Sequence, residues 1–110
     1  MLSTDTREIL KQAAIAAEIN YHHIDEGGVW WRTSHMSESV YCWNPLTKQD
    51  HTDNLAESFG ITSHVNIDLG MAIATDKKGR VFRIESDSCG FDLGAAERRA
   101  VTFAAAHNNI

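Results

Sequence analysis

The chain has 110 residues, 43% of them hydrophobic and 23% charged, with a net charge of −5 and an isoelectric point near 5.6. That length is one domain, residues 1–110, and it can bury roughly two-thirds of the surface its unfolded chain exposes, so no staple is needed. The composition excludes a disordered chain, and the mild, dispersed acidity argues against both a nucleic-acid-binding surface and a nucleic-acid mimic.

Residues 3–18 read as a helix. Ile9, Leu10, Ala13, Ala16 and Ala17 recur at helical spacing, Arg7, Glu8, Lys11 and Glu18 take the other side, and Asp5 with Glu8 resembles a capping box. Residues 20–24 form a first strand, Asp25-Glu26-Gly27-Gly28 a turn, residues 29–33 a second strand rich in β-formers, and residues 40–43 a third. The spacing fits an antiparallel meander. Asn44-Pro45 ends the third strand, because proline cannot donate to a ladder. Residues 50–59 read as a short helix, with Asp50 as its cap, Leu55, Ala56 and Phe59 on its apolar side and Gly60 at the C-cap.

Residues 62–68 and 71–75 read as strands around a Leu69-Gly70 break, with Val65, Ile67 and Leu69 alternating with polar neighbours. Asp76-Lys77-Lys78-Gly79 is a hairpin turn, residues 81–85 form its second strand, and residues 86–90 are a loop. Asp92 caps a last helix, residues 93–107, with Leu93, Ala96, Ala100, Phe103 and Ala104 on its apolar face and Glu97, Arg98 and Arg99 outward. The basic clusters at Lys77-Lys78 and Arg98-Arg99 read as solvated surface. The order of elements gives an α+β fold: a mostly antiparallel sheet of four to six strands with an N-terminal helix, a short middle helix and a C-terminal helix.

Trp30 and Trp31 stand side by side in the second strand, where neighbouring side chains point to opposite faces. Val29, Trp31 and Thr33 share one face, which makes Trp31 the better core residue, while Trp30 and Arg32 share the other. If helices cover one side of the sheet, Trp30 is an exposed aromatic beside an arginine and a plausible contact point. If they cover both, it is a second-layer core residue, the commoner fate of a large aromatic.

Chemical motifs are scarce. His22 and His23 would point apart in a strand, and His35, His51, His64 and His107 show neither an HxH nor an HExxH spacing. Phosphate-cradling glycine loops and EF-hand patterns are absent. Ser88-Cys89-Gly90, with Asp87, Asp92 and His107, is the nearest approach to a nucleophilic site, and the ordinary reading is of Cys42 and Cys89 as small buried thiols and of the histidines as surface imidazoles. No catalytic residue, cofactor or metal ligand is assigned. No apolar run is long enough to span a membrane, and the first residues lack the basic leader and apolar core of a signal peptide, so a cytoplasmic protein is expected.

Two stretches resemble a known group. Trp43-Asn44-Pro45-Leu46-Thr47, followed by Asp50, Leu55, Ala56 and Phe59-Gly60-Ile61, is similar to the signature of small phage and prophage proteins. Asp92-Leu93-Gly94-Ala95-Ala96-Glu97-Arg98-Arg99-Ala100-Val101 resembles their D-P-x-A-A-x-R-R-A-I ending, with Gly94 in place of a bulkier helix residue and Lys48-Gln49 where acidic residues are common. Together they look like the phage ABA sandwich domain family. The resemblance implies a sheet with helices on both sides, an α/β/α sandwich, and a gene in a phage or prophage accessory region; it implies no activity and brings no site residues. The physical reading of the first motif is folding logic: Trp43 closes a strand, the Asn44 side chain bonds the turn backbone, Pro45 fixes the exit and Leu46 staples the next helix.

The sequence therefore points to a non-enzymatic phage or prophage accessory protein that binds a host or phage protein, with Trp30, Arg32, Tyr21 and Tyr41 as candidate contacts. Two other classes stay open: a small enzyme or metal-dependent hydrolase using Cys89, Asp87 and histidines, and a structural homodimer joined through a sheet edge.

Overall fold

The structure, a computed structural model, describes residues 4–19, 21–25, 28–31, 41–90 and 92–107. Helix α1 spans Thr4–Ala16 and precedes three strands, β1 (Tyr21–Asp25), β2 (Gly28–Trp31) and β3 (Tyr41–Trp43). Helix α2 (Gln49–Phe59) leads to β4 (Thr62–Asn66), β5 (Met71–Thr75) and β6 (Val81–Glu85), then a 3-10 turn at Ser86–Cys89 and helix α3 (Leu93–His107). The α+β class and the order of helices and strands match the sequence reading, and every described strand pair is antiparallel.

The layering differs from the expected single sheet. The strands form two three-stranded sheets, ordered β1-β2-β3 and β4-β5-β6. The cause lies at Asn44 and Pro45, both buried, which turn the chain out of β3 after only three residues and into α2, so β4 begins a new ladder. Helix α1 packs on β1 and β2, α3 packs on all three strands of the second sheet, and α1 and α3 pack on each other. On the second sheet, Ala72, Ala74, Phe82 and Ile84 face α3, while Thr62, His64, Val81, Arg83 and Glu85 share the opposite face and are exposed. Each sheet is thus backed by a helix on one face, in place of one sheet flanked on both.

Small side chains make this packing close. The core joins Leu10, Ala13 and Ala14 of α1 to Ile24, Val29 and Trp43 of the first sheet and to Ala100, Val101, Ala104, Ala105 and Ala106 of α3. Helix α3 touches α1, α2 and the second sheet, so it buries more than one stripe. That is why its buried set is wider than the single apolar face read from the sequence, and why alanine, which loses no side-chain entropy on burial, fills it.

Helix ends follow local chemistry with two corrections. Asp92 caps α3 as expected, its Oδ1 accepting the Ala95 N–H at 3.1 Å, and Gly60 closes α2 in the left-handed region at φ 62°. Asp50 does not cap α2: Lys48 holds that position without a side-chain bond, and Asp50 lies in the first turn, where its charge complements the helix dipole. Asp5 lies inside α1 and not at its N-cap, and the Glu8 carboxylate accepts from Gln12 Nε2 at 2.9 Å. Strand β4 ends at Asn66, two residues earlier than the alternation of Val65, Ile67 and Leu69 suggested. Asn66 Oδ1 accepts the Leu69 N–H at 3.1 Å, folding residues 67–70 into a turn that leaves Ile67 78% and Leu69 66% exposed. Among the described residues no helix is long and apolar enough to cross a membrane.

Candidate protein-contact site

The first sheet carries the candidate contacts. Strands β1 and β2 form a hairpin in which Asp25 pairs with Gly28, Ile24 with Val29 and His23 with Trp30, and a register shift between His23 and Tyr21 brings Tyr21 opposite Trp31. Ile24, Val29 and Trp43 point to the core, and Val29 is fully buried. His23, Asp25, Trp30 and Cys42 share the opposite face.

On that face the side chains form a small, fixed cluster. The Trp30 indole N–H donates to Asp25 Oδ1 at 2.7 Å. The His23 ring stacks on the indole at 6.0 Å between centroids and 17° between planes, and its Nε2 lies 3.5 Å from Asp25 Oδ2. Half the side-chain surface of His23 and of Asp25 remains open to solvent, while Trp30 is partly buried. Trp30 is therefore neither of the two extremes read from the sequence. It is not a second-layer core residue, because the described helices do not pack over this face, and its rotamer is not free, because the carboxylate holds the indole N–H. Burial pushes the Cys42 thiol above its ordinary value, and the nearby Asp25 charge adds to that, with Lys48 opposing. A thiol so placed is a poor nucleophile at neutral pH.

Of the other contacts read from the sequence, Tyr21 pairs with Trp31 across the hairpin and Tyr41 with Trp31 across β2 and β3. The side chains of Tyr21, Tyr41 and Trp31 and the whole of Arg32 lie outside the described residues. Asp25 and His23 were missed because Asp25 reads as a turn residue; the available signal was its period-two spacing from His23 at the end of a strand.

The Trp43-Asn44-Pro45 motif is structural, as read from the sequence. Asn44 Oδ1 accepts the Leu46 N–H at 3.0 Å, its own N–H donates to His51 Nδ1 at 2.9 Å, and the His51 ring stacks on Trp43. The buried Thr52 hydroxyl donates to the Pro45 carbonyl at 2.5 Å and lies 3.2 Å from that of Lys48. Gly28 backs this turn: at φ 126° it lies where a Cβ would stand 2.6 Å from Asn44 Cβ and 2.7 Å from the Trp43 carbonyl oxygen. The Arg98-Arg99 pair, expected to be solvated, instead ties the fold together. Arg98 Nε donates to the Leu46 carbonyl at 3.0 Å, and the Arg99 guanidinium lies over the Phe103 ring at 5.0 Å. The two family-like stretches therefore meet in space, through Arg98 and Leu46.

Of the residues of the enzyme reading, Cys89 and Asp87 share one turn and the Asp92 N–H donates to the Cys89 carbonyl at 3.3 Å, but His107 is not brought to them. Cys89 and Asp87 lie in the 3-10 turn at the start of α3, while His107 ends that helix, about 21 Å along its axis from Leu93. His107 packs against Phe82 at 4.9 Å between ring centroids, at the far end of β6 from Cys89. Among the described residues no group of three His, Cys, Asp or Glu side chains is placed to hold a metal ion. Neither cysteine is in a disulfide, and both are partly rather than fully buried. No protein-family model matches the chain, and neither a curated protein nor a solved structure matches it.

Proposed function

We propose that this protein is a non-enzymatic binding module that docks another protein on the outer face of its first sheet, with Trp30 at the centre of the contact. One observation carries the reading: a tryptophan on a face that no described helix covers, held in one orientation by the Asp25 carboxylate and the stacked His23 ring. Tryptophan supplies a large apolar area with few rotamers, and a fixed rotamer reduces the entropy lost on binding. The register pairs Tyr21 and Tyr41 with Trp31, two positions from the core residue Val29 and across the sheet from Trp30, so the proposed contact rests on Trp30 with His23 and Asp25.

The resemblance of the Trp43–Thr47 and Asp92–Val101 stretches to phage proteins suggests a phage or prophage accessory protein acting in the host cytoplasm on a host or phage protein. The α/β/α sandwich implied by that resemblance would require the two sheets to act as one layer.

A crosslinked pull-down tests the proposal, using wild type beside Trp30→Ala in lysates of infected and uninfected cells. The expected result is a stoichiometric partner held by wild type and lost by a folded Trp30→Ala variant. Equal capture by both proteins, or no partner in either lysate, overturns the reading.

A further inference from the structure

A second surface lies on the other sheet, at the end where β4 turns into β5 and β6 runs into the 3-10 turn. It is an open notch of about 440 Å³. Ile67, Asp68, Leu69 and Gly70 line it from the turn, and Glu85, Ser86 and Asp87 from the end of β6. We infer that this notch docks a basic peptide segment of a partner protein, one in which an aliphatic side chain is flanked by lysine or arginine.

Three features fix the class of occupant. The first is exposed apolar surface: Ile67 and Leu69 are the most exposed large hydrophobic side chains among the described residues, at 78% and 66%. The two stand either side of Asp68 in one turn and line the same notch, so together they offer it apolar surface that a single exposed hydrophobic would not. The second is charge. Asp68 and Asp87 are acidic residues of the lining, and among the described residues no lysine or arginine lines it. A cation is therefore attracted to the notch and an acidic segment is repelled. The third is a fixed floor. The Ser86 N–H donates to the Gly70 carbonyl at 2.8 Å, the Gly70 N–H to Ile67 at 3.2 Å, and Asn66 holds Leu69 from below. Gly70 takes φ 61°, and a Cβ there would stand 3.2 Å from Ser86 Oγ, so the two walls join closely. The carboxylates do not converge as metal ligands would. The aliphatic pair gives a peptide what a free cation could not use.

The notch is independent of the Trp30 face, which lies on the other sheet. The chain also carries a basic tip, Lys77-Lys78, on the turn between β5 and β6 at the opposite end of the second sheet. A second copy could present that tip to the notch, so the test separates the two occupants.

Fluorescence anisotropy on the full chain provides the test, with three fluorescein-labelled hexapeptides that alternate lysine with leucine, lysine with serine, or glutamate with leucine. The lysine–leucine peptide is expected to bind saturably and the other two at least tenfold more weakly. Leu69→Ser and the Asp68→Asn/Asp87→Asn double variant should each weaken binding at least tenfold, with melting curves confirming the fold, and added salt should weaken it further. Trp30→Ala should bind the peptide as wild type does. Equal binding of the lysine–serine peptide would overturn the inference, and so would wild-type binding by either notch variant. Concentration-dependent self-association abolished by Lys78→Glu would assign the notch to a second copy and also overturn it.

Discussion

Gly28→Ala should be among the most damaging small substitutions in the chain. Gly28 has φ 126°, which an L side chain rarely adopts, and the added Cβ would lie 2.6 Å from Asn44 Cβ, 2.7 Å from the Trp43 carbonyl oxygen and 3.1 Å from Asn44 Cγ. Backbone strain of this kind costs about 1–3 kcal/mol. Asn44 cannot yield freely, since it is 4% exposed and bonded to both Leu46 and His51. Losing one of those bonds adds about 1 kcal/mol. The total is about 2–4 kcal/mol, enough to lower a urea midpoint by about 1–2 M for a domain of this size. Gly79→Ala is the control: Gly79 has φ 83° but nothing within 4 Å of its added Cβ, so it carries strain without a clash. Urea unfolding of both variants, followed by far-UV circular dichroism, measures the difference. A Gly28→Ala midpoint no lower than that of Gly79→Ala would refute the argument that Asn44 and Trp43 close over this position.

Three further outcomes follow from the same contacts. Thr52→Val leaves the Pro45 carbonyl without the hydroxyl 2.5 Å away in a site only 2% exposed, at a cost of about 1–3 kcal/mol. The melting temperature should fall by about 5–15 °C while Thr52→Ser stays near wild type, and an unchanged melt for Thr52→Val would contradict this. Burial alone would raise the Asp76 carboxyl, but the Arg80 and Lys78 backbone N–H groups and the Arg80 guanidinium outweigh it and hold the carboxyl below its ordinary value of 3.8. A depressed carboxylate stabilises the fold above the unfolded value and loses that contribution as pH falls through the folded one. The stability gap between wild type and Asp76→Asn should therefore be full at pH 6 and shrink below about pH 4, and a gap that widens toward acid would reverse the assignment. In a Cys89→Ser background, Cys42 should react with a thiol probe at pH 8 more slowly in the native protein than in urea; equal rates would show that burial does not protect it.

Much of the fold was legible because its signals are local. Period-two alternation in residues 81–85, glycine at 60 and 79, aspartate at 92 and the Asn44-Pro45 stop each act within a few residues of chain, and each was placed correctly. What the sequence could not show was set by distant contacts. The division into two sheets depends on where β3 stops and α2 intervenes. Arg98 looked solvated because its acceptor, the Leu46 carbonyl, lies 52 residues away. Ile67 read as part of the strand because alternation alone does not distinguish a strand from a turn held by Asn66.

The candidate site was legible only at Trp30. Its partners Asp25 and His23 lie in regular register with β2, but ending the first strand at residue 24 and reading Asp25 as part of the turn hid the pairing that puts them beside the indole. The notch at Ile67 and Leu69 required the turn to be seen before its exposure could count.

The measurement that bears most directly on the proposed function is hydrogen–deuterium exchange of the protein, free and bound to the partner captured by pull-down. If that partner docks on the first sheet, the amides of β1, β2 and β3 around Trp30 gain protection while the β4–β5 turn and the Ser86–Cys89 turn exchange as before. Protection confined to the second sheet, with Trp30 and its neighbours unchanged, would contradict the reading and move the binding site elsewhere on the molecule.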